Sequence, residues 1–159
     1  MKRSLAFYRF FAAAALSLGP VQVFATTRAV FTLNDSGANS LRDVIAQSAD
    51  GDTIIFNVTG VITLTSGELA IGRNVTIMGP PPGITVTRSS TALPFRIFHI
   101  SNGTLTGPTV SISGLTISGG FSPNDGIYKG GAGLLNDHST VTLTNCVIQN
   151  NVDAVSGQN

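Results

Sequence analysis

Asp137 and His138 are the residues whose types and spacing most suggest chemistry; they are adjacent, in Asn136-Asp137-His138-Ser139-Thr140. A carboxylate beside an imidazole could orient it for general acid–base work. No nucleophile or second base is placeable beside them from sequence, and Asn-Asp ahead of a strand is also ordinary turn chemistry. No catalytic set is assigned, and Asp137 and His138 are kept as the only candidates. A two-carboxylate hydrolysis needs two acids at a defined separation on one face. The closest pair, Asp50 and Asp52, flanks Gly51, where a turn role is expected.

Metal and cofactor signals are absent. His99 alternates with Phe98 and Ile100, so it is expected to face solvent, and it has no partner histidine to share a metal. Gly130-Gly131-Ala132-Gly133-Leu134-Leu135 begins like a calcium-binding nonapeptide but has Leu135 at the ligand position. The same glycines give no dinucleotide fingerprint, because Asn136 replaces the third Gly. The single cysteine, Cys146, reads as a small core residue. Asn57-Val58-Thr59, Asn74-Val75-Thr76 and Asn102-Gly103-Thr104 fit the N-glycosylation pattern, as composition alone would produce in an Asn/Thr-rich chain.

The elements that must position these residues are short strands. Val110-Ser111-Ile112-Ser113-Gly114-Leu115-Thr116-Ile117 recurs as Val141-Thr142-Leu143-Thr144-Asn145-Cys146-Val147-Ile148. The inward sets match: Val110 with Val141, Ile112 with Leu143, Leu115 with Cys146, Ile117 with Ile148. Gly114 and Asn145 are the types that most easily take φ > 0, so each copy reads as strand, one-residue bend, strand. Val75 begins a similar segment. Earlier strands are expected at 29–33, 53–57, 61–65, 69–71, 75–78, 84–87 and 95–100, alternating apolar residues with Thr or Ser. The one convincing helix starts at an N-cap Ser40, with Asp43 placed to complete a capping box, and runs to Ala49 with Leu41, Val44 and Ile45 on one face.

Periods of this length indicate a stacked array rather than a hairpin-built sandwich. The expected fold is all-β, a right-handed parallel β-helix of about four coils, with the short amphipathic helix capping its N-terminal end. Residues 1–25 have the basic start, apolar run and small-residue end of a cleaved signal peptide. Residues 26–52 would be the first strand and cap, and 53–159 the coils, incomplete at the C-terminus and open to continue into further coils. Cleavage would remove Lys2, Arg3 and Arg9 from 9 basic residues against 8 acidic ones, leaving no basic patch for nucleic acid and no membrane span in the mature chain.

Asn34-Asp35-Ser36-Gly37-Ala38-Asn39-Ser40-Leu41-Arg42-Asp43-Val44-Ile45, followed by Gly51-Asp52-Thr53-Ile54-Ile55-Phe56, resembles the N-terminal segment of bacterial secreted β-helix repeat proteins with SLREA-type caps, the polymorphic-outer-membrane-protein-like group. The two repeat copies resemble that group's coils. The resemblance implies a secreted or cell-surface protein with a structural or adhesive role, with glycans or a neighbouring cell surface as partners. The alternative is a polysaccharide-acting enzyme, of lyase or glycoside hydrolase type, or a glycan binder. Its active face would lie in further coils or in the Gly119–Gly133 loop. The Asn-x-Asp, Asp-Asp, Gly-His-Gly and Arg-x-Lys signatures of pectin-degrading hydrolases are absent.

Overall fold

The computed structural model describes residues 24–122 and 130–153. The expected signal segment lies almost wholly outside these residues, as do Asp125, Lys129 and the last six positions. The described chain is all-β apart from one short helix. Its elements are β1 (Thr27–Val30), α1 (Leu41–Gln47), β2 (Thr53–Phe56), β3 (Gly60–Leu64), β4 (Leu69–Ile71), β5 (Val75–Met78), β6 (Ile84–Arg88), β7 (Phe98–Ile100), β8 (Thr109–Ser113), β9 (Leu115–Ser118), β10 (Phe121–Ser122), β11 (Leu134–Asn136), β12 (Thr140–Thr144), β13 (Val147–Gln149) and β14 (Val152–Asp153).

Every pairing among the described residues is parallel, and from β2 onward strands that follow one another in the chain fall in different sheets. The orders are β1-β2-β5-β8-β12, β13-β9-β6-β3, β11-β7-β4 and β10-β14. From β2 to β9 the chain visits the first three sheets in turn and returns to the first, so each return lays a new course on the last. The repeat register is as the sequence requires: Val110 pairs with Val141, Ile112 with Leu143 and Ile117 with Ile148, while Val75 pairs with Val110. Gly114 and Asn145 both lie in the left-handed region, at φ 67° and 52°, and turn the first sheet into the second.

Alternation builds the core. Ile54, Ile62, Ile77, Val86, Ile112 and Ile117 are buried, and the Thr and Ser between them face outward. Cys146 packs against this core but is only half-buried, its Sγ 3.5 Å from the Ile112 carbonyl oxygen. It lies in the last described course, which leaves Leu143 and Ile148 exposed.

The helix starts at the N-cap Ser40 as expected, buries Leu41, Val44 and Ile45, and packs on β1 and β4. It is shorter than its periodicity suggests. The Ser48 hydroxyl donates to the Val44 carbonyl, and the Ala49 N–H donates to the Asp52 carboxylate, which draws the chain out of the helix. The capping box is also modified. The Asp43 N–H donates to Ser40 Oγ at 3.2 Å, but the Asp43 carboxylate reaches back to the N–H of Asn39, since the Ser40 N–H already donates to the Gly37 carbonyl. Ser40 is fully buried, so Ser40→Ala is expected to cost about 1–2 kcal/mol, read as a lowered urea midpoint at unchanged slope.

Two strands differ from expectation. β1 covers 27–30 instead of 29–33: it begins two residues earlier, with the Thr26 and Arg28 donors fixed on Asp52, and Phe31, Thr32 and Leu33 are not strand. The 95–100 run forms strand only from Phe98. Phe95, Arg96, Ile97 and Phe98 are all buried in succession, which no alternating strand permits. This corner is organised by Arg88. Its guanidinium donates to the Ser89, Ala92 and Gly119 carbonyls and lies 5.9 Å from the rings of both Phe95 and Phe121.

Candidate functional site

The acidic residues separate into two groups by what they hold. Asp43 and Asp50 accept backbone N–H groups at the cap, Asp50 from Asn74. Asp153 accepts from the Ala132 N–H. Asp35 accepts from the N–H and hydroxyl groups of both Thr65 and Ser66, and from Arg42. Burial alone would raise its pKa, but the Arg42, Ser66 and Thr65 donors outweigh that and hold the carboxyl well below the usual carboxylate range. Asp52 is depressed likewise, first by the Ala49 N–H, then by Arg28 at 2.6 Å and by Thr26. So the Asp50–Asp52 pair is structural, as a turn role implies, although Asp52 is fully buried.

Glu68 and Asp137 are different: each is paired with an imidazole on the outer side of the β4–β7–β11 sheet. His99 stands in register with Ala70 and Leu135. Its Nδ1 is 2.9 Å from Glu68 Oε1, and Arg96 Nη1 is 3.7 Å from Glu68 Oε2. The expectation that His99 faces solvent is therefore corrected. Its side chain is 19% exposed, because the carboxylate one course below and the buried Arg96 close around it. The pairing was legible in principle, since Glu68 and His99 are 31 residues apart, the spacing of the two repeat copies.

The structure brings Asp137 and His138 together. Asp137 Oδ1 is 2.6 Å from His138 Nδ1, and Ser101 Oγ donates to Asp137 Oδ2 at 2.9 Å. Ser101, one course below, is the member of this group that sequence reasoning missed. The ends of β7 and β11 position all three, with the Asp137 N–H donating to the Ile100 carbonyl. His138 sits at φ 57°, a left-handed conformation uncommon for residues other than Gly and in which Asn, Asp and His are enriched. Its neighbour Ser139 is held on both sides, by Asn136 Oδ1 and by the Ile100 carbonyl. A carboxylate only accepts hydrogen bonds, so the contact with Asp137 places a proton on Nδ1. The imidazole is 54% exposed at the edge of a cleft of about 330 Å³ lined with Gly103, Thr104 and Leu105.

Two roomier clefts offer less chemistry. One, of about 430 Å³, lies against the Gly79–Gly83 turn and is lined by no titratable side chain. The other, of about 500 Å³, contains Asp35, whose oxygens are saturated by donors. Glu68 and Asp137 stand two courses and four positions apart in the sheet, each engaged by its own imidazole. Among the described residues, no three His, Cys, Asp or Glu side chains are grouped to hold a metal ion. No helix among them is long and apolar enough to cross a membrane.

No family model matches the chain, and no solved structure matches it significantly. Two curated proteins do, the probable pectate lyases C of Aspergillus flavus and Aspergillus oryzae. Each is 45% identical over 60 residues, 36% of this chain. The chain thus has a segment similar to part of these proteins, and the match spans 14% of their length.

Proposed function

We propose that this chain is part of an extracellular, polysaccharide-acting protein in which His138, oriented by Asp137, is the general base. The observation that carries this reading is the Asp137–His138 pair at the edge of a cleft. The partial similarity to pectate lyases supports it over the structural or adhesive stalk, for which the comparisons offer nothing. The courses are those of a right-handed parallel β-helix: parallel strands joined by crossovers take that hand almost without exception. Its cap is of the SLREA type that Asn34–Ile45 resembles.

The chemistry is of lyase type, the class named for the two partly similar proteins. A single base suffices for elimination. His138 Nε2 takes the proton from the carbon beside a uronate carboxyl group, the adjacent C–O bond to the leaving sugar breaks, and a C=C bond forms. The departing sugar oxygen is protonated from water. Asp137 stabilises the imidazolium that results, and Ser101 keeps Asp137 in place.

Incubation with uronate-containing and neutral polysaccharides tests this. Unsaturated products are expected from the uronate polymers alone, and His138→Gln should reduce their rate by about 10²–10⁴-fold. Absence of unsaturated product from every uronate polymer would overturn the catalytic reading. Retention on an immobilised polysaccharide would then identify a glycan binder, and no retention would favour the stalk.

A further inference from the structure

Asn102-Gly103 is the single Asn-Gly step in the sequence, and it lies in the exposed turn between β7 and β8. Every other Asn that is followed by a residue is followed by one with a side chain. The Cγ of an asparagine and the backbone nitrogen after it are the two ends of a potential five-membered ring. A side chain on the following residue hinders closure, and Gly103 has none. The space around it is open, with no atom within 4 Å of where a Cβ would stand.

Both groups that would react are held by hydrogen bonds of the right kind. The Gly103 N–H donates to Ser101 Oγ at 3.1 Å, and Ser101 Oγ donates to Asp137 Oδ2 at 2.9 Å. The nitrogen thus heads a relay that ends on a carboxylate. At the other group, Asn102 Oδ1 accepts from the Thr104 N–H at 3.0 Å and lies 2.8 Å from the Thr104 hydroxyl. Such donors polarise the amide carbonyl and meet the negative charge that develops on its oxygen. Asn102 Nδ2 donates to the Thr106 carbonyl at 3.1 Å, which holds the side chain within the turn.

We infer that Asn102 is a self-modifying site: its side chain cyclises onto the Gly103 nitrogen, with Ser101 and Asp137 as proton relay and Thr104 as oxyanion donor. As the nitrogen bonds to Asn102 Cγ, its proton passes to Ser101 Oγ and the Ser101 proton passes to Asp137. The Cγ–Nδ2 bond then breaks. Nδ2 leaves as ammonia, with a proton delivered through water in place of the one Gly103 gave up, and the ring is a succinimide. Water opens the ring at either carbonyl, giving aspartate or isoaspartate at position 102. The product cannot donate to the Thr106 carbonyl. It also adds a carboxylate to the turn whose Gly103, Thr104 and Leu105 line the His138 cleft. The charge beside that cleft therefore becomes more negative as the molecule ages.

The test follows the full chain by peptide mass, incubated folded at neutral pH and, in parallel, unfolded in guanidinium chloride. Conversion raises the mass of the peptide containing position 102 by one unit, and an isoaspartyl methyltransferase labels the isoaspartate fraction. The folded chain is expected to convert faster than the unfolded one. Ser101→Ala should slow the folded reaction by roughly 10²-fold, the lower end for general-base assistance, and leave the unfolded rate unchanged. A folded chain that converts no faster than the unfolded one would overturn the inference. So would a folded Ser101→Ala that reacts as fast as the wild type. If Ser101→Ala does not fold, Thr104→Val decides: slower conversion when folded supports the inference, and an unchanged rate overturns it. No polysaccharide enters the assay, so the result is independent of the lyase reading.

Discussion

Replacing Asp52 with alanine should lower stability by about 3 kcal/mol, the lower end of the range for breaking a buried ion pair, since Arg28 remains a third exposed. The loss extends beyond the pair. Asp52 Oδ1 takes the N–H and hydroxyl of Thr26, and Oδ2 takes Arg28 Nε and the Ala49 N–H. The carboxylate therefore joins the first strand to the exit of the capping helix. Its removal leaves four part-buried donor groups without their acceptor.

The same carboxylate sets an acid limit. Its folded pKa, like that of Asp35, is held below the value near 3.9 expected in the unfolded chain. The unfolded state thus binds protons first, and the stabilisation is complete above that value and is lost as pH falls through it towards the folded pKa. Urea midpoints measured in steps from about pH 5 downward should fall steeply for the wild type. Asp52→Asn should begin lower and fall less, the remaining slope reporting Asp35. A wild-type midpoint independent of pH over that interval would refute the assignment.

Ile77→Ala should cost about 3–4 kcal/mol, within the range for emptying a fully buried aliphatic site. Ile77 is completely buried in β5 and has a course on either side, Ile54 below and Ile112 above. Both faces of the cavity are therefore lined by side chains whose own positions are fixed by register, which limits collapse into the space. The check is the free energy from equilibrium urea unfolding. A loss below 1 kcal/mol would mean that the courses slide to refill the site.

The stacking was legible because its signal is redundant. Val110/Val141, Ile112/Leu143 and Ile117/Ile148 carry the same alternation at the same interval, and pairing follows directly. Ser40 and the Leu41–Val44–Ile45 stripe identified the helix for a similar reason: local chemistry and periodicity agree. The corners were less legible. At Phe95–Phe98, burial comes from the Arg88 cluster and from segments distant in the chain, which override local alternation. In the candidate site, the Asp137–His138 contact is visible in a dipeptide, but Ser101 and Glu68 are not. Each acts one course away, Ser101 from Asp137 and Glu68 from His99, and single-strand reasoning does not look there.

The ladders also bear on insertion tolerance. Thr53 pairs with Thr76, Val75 with Val110 and Val110 with Val141, spacings of 23, 35 and 31 residues between neighbouring courses of one sheet. Register is kept while the contour length between rungs varies by half. The sheets measure the strands and take no account of the corners. A peptide grafted into the exposed turn at Asn102–Thr106 should therefore project beside His138 without moving a rung, since lengthening a surface loop costs only a slowly growing entropy. The scaffold is in this sense a rack with interchangeable fittings, and what the protein recognises could be altered at the corners while its core is left as it is.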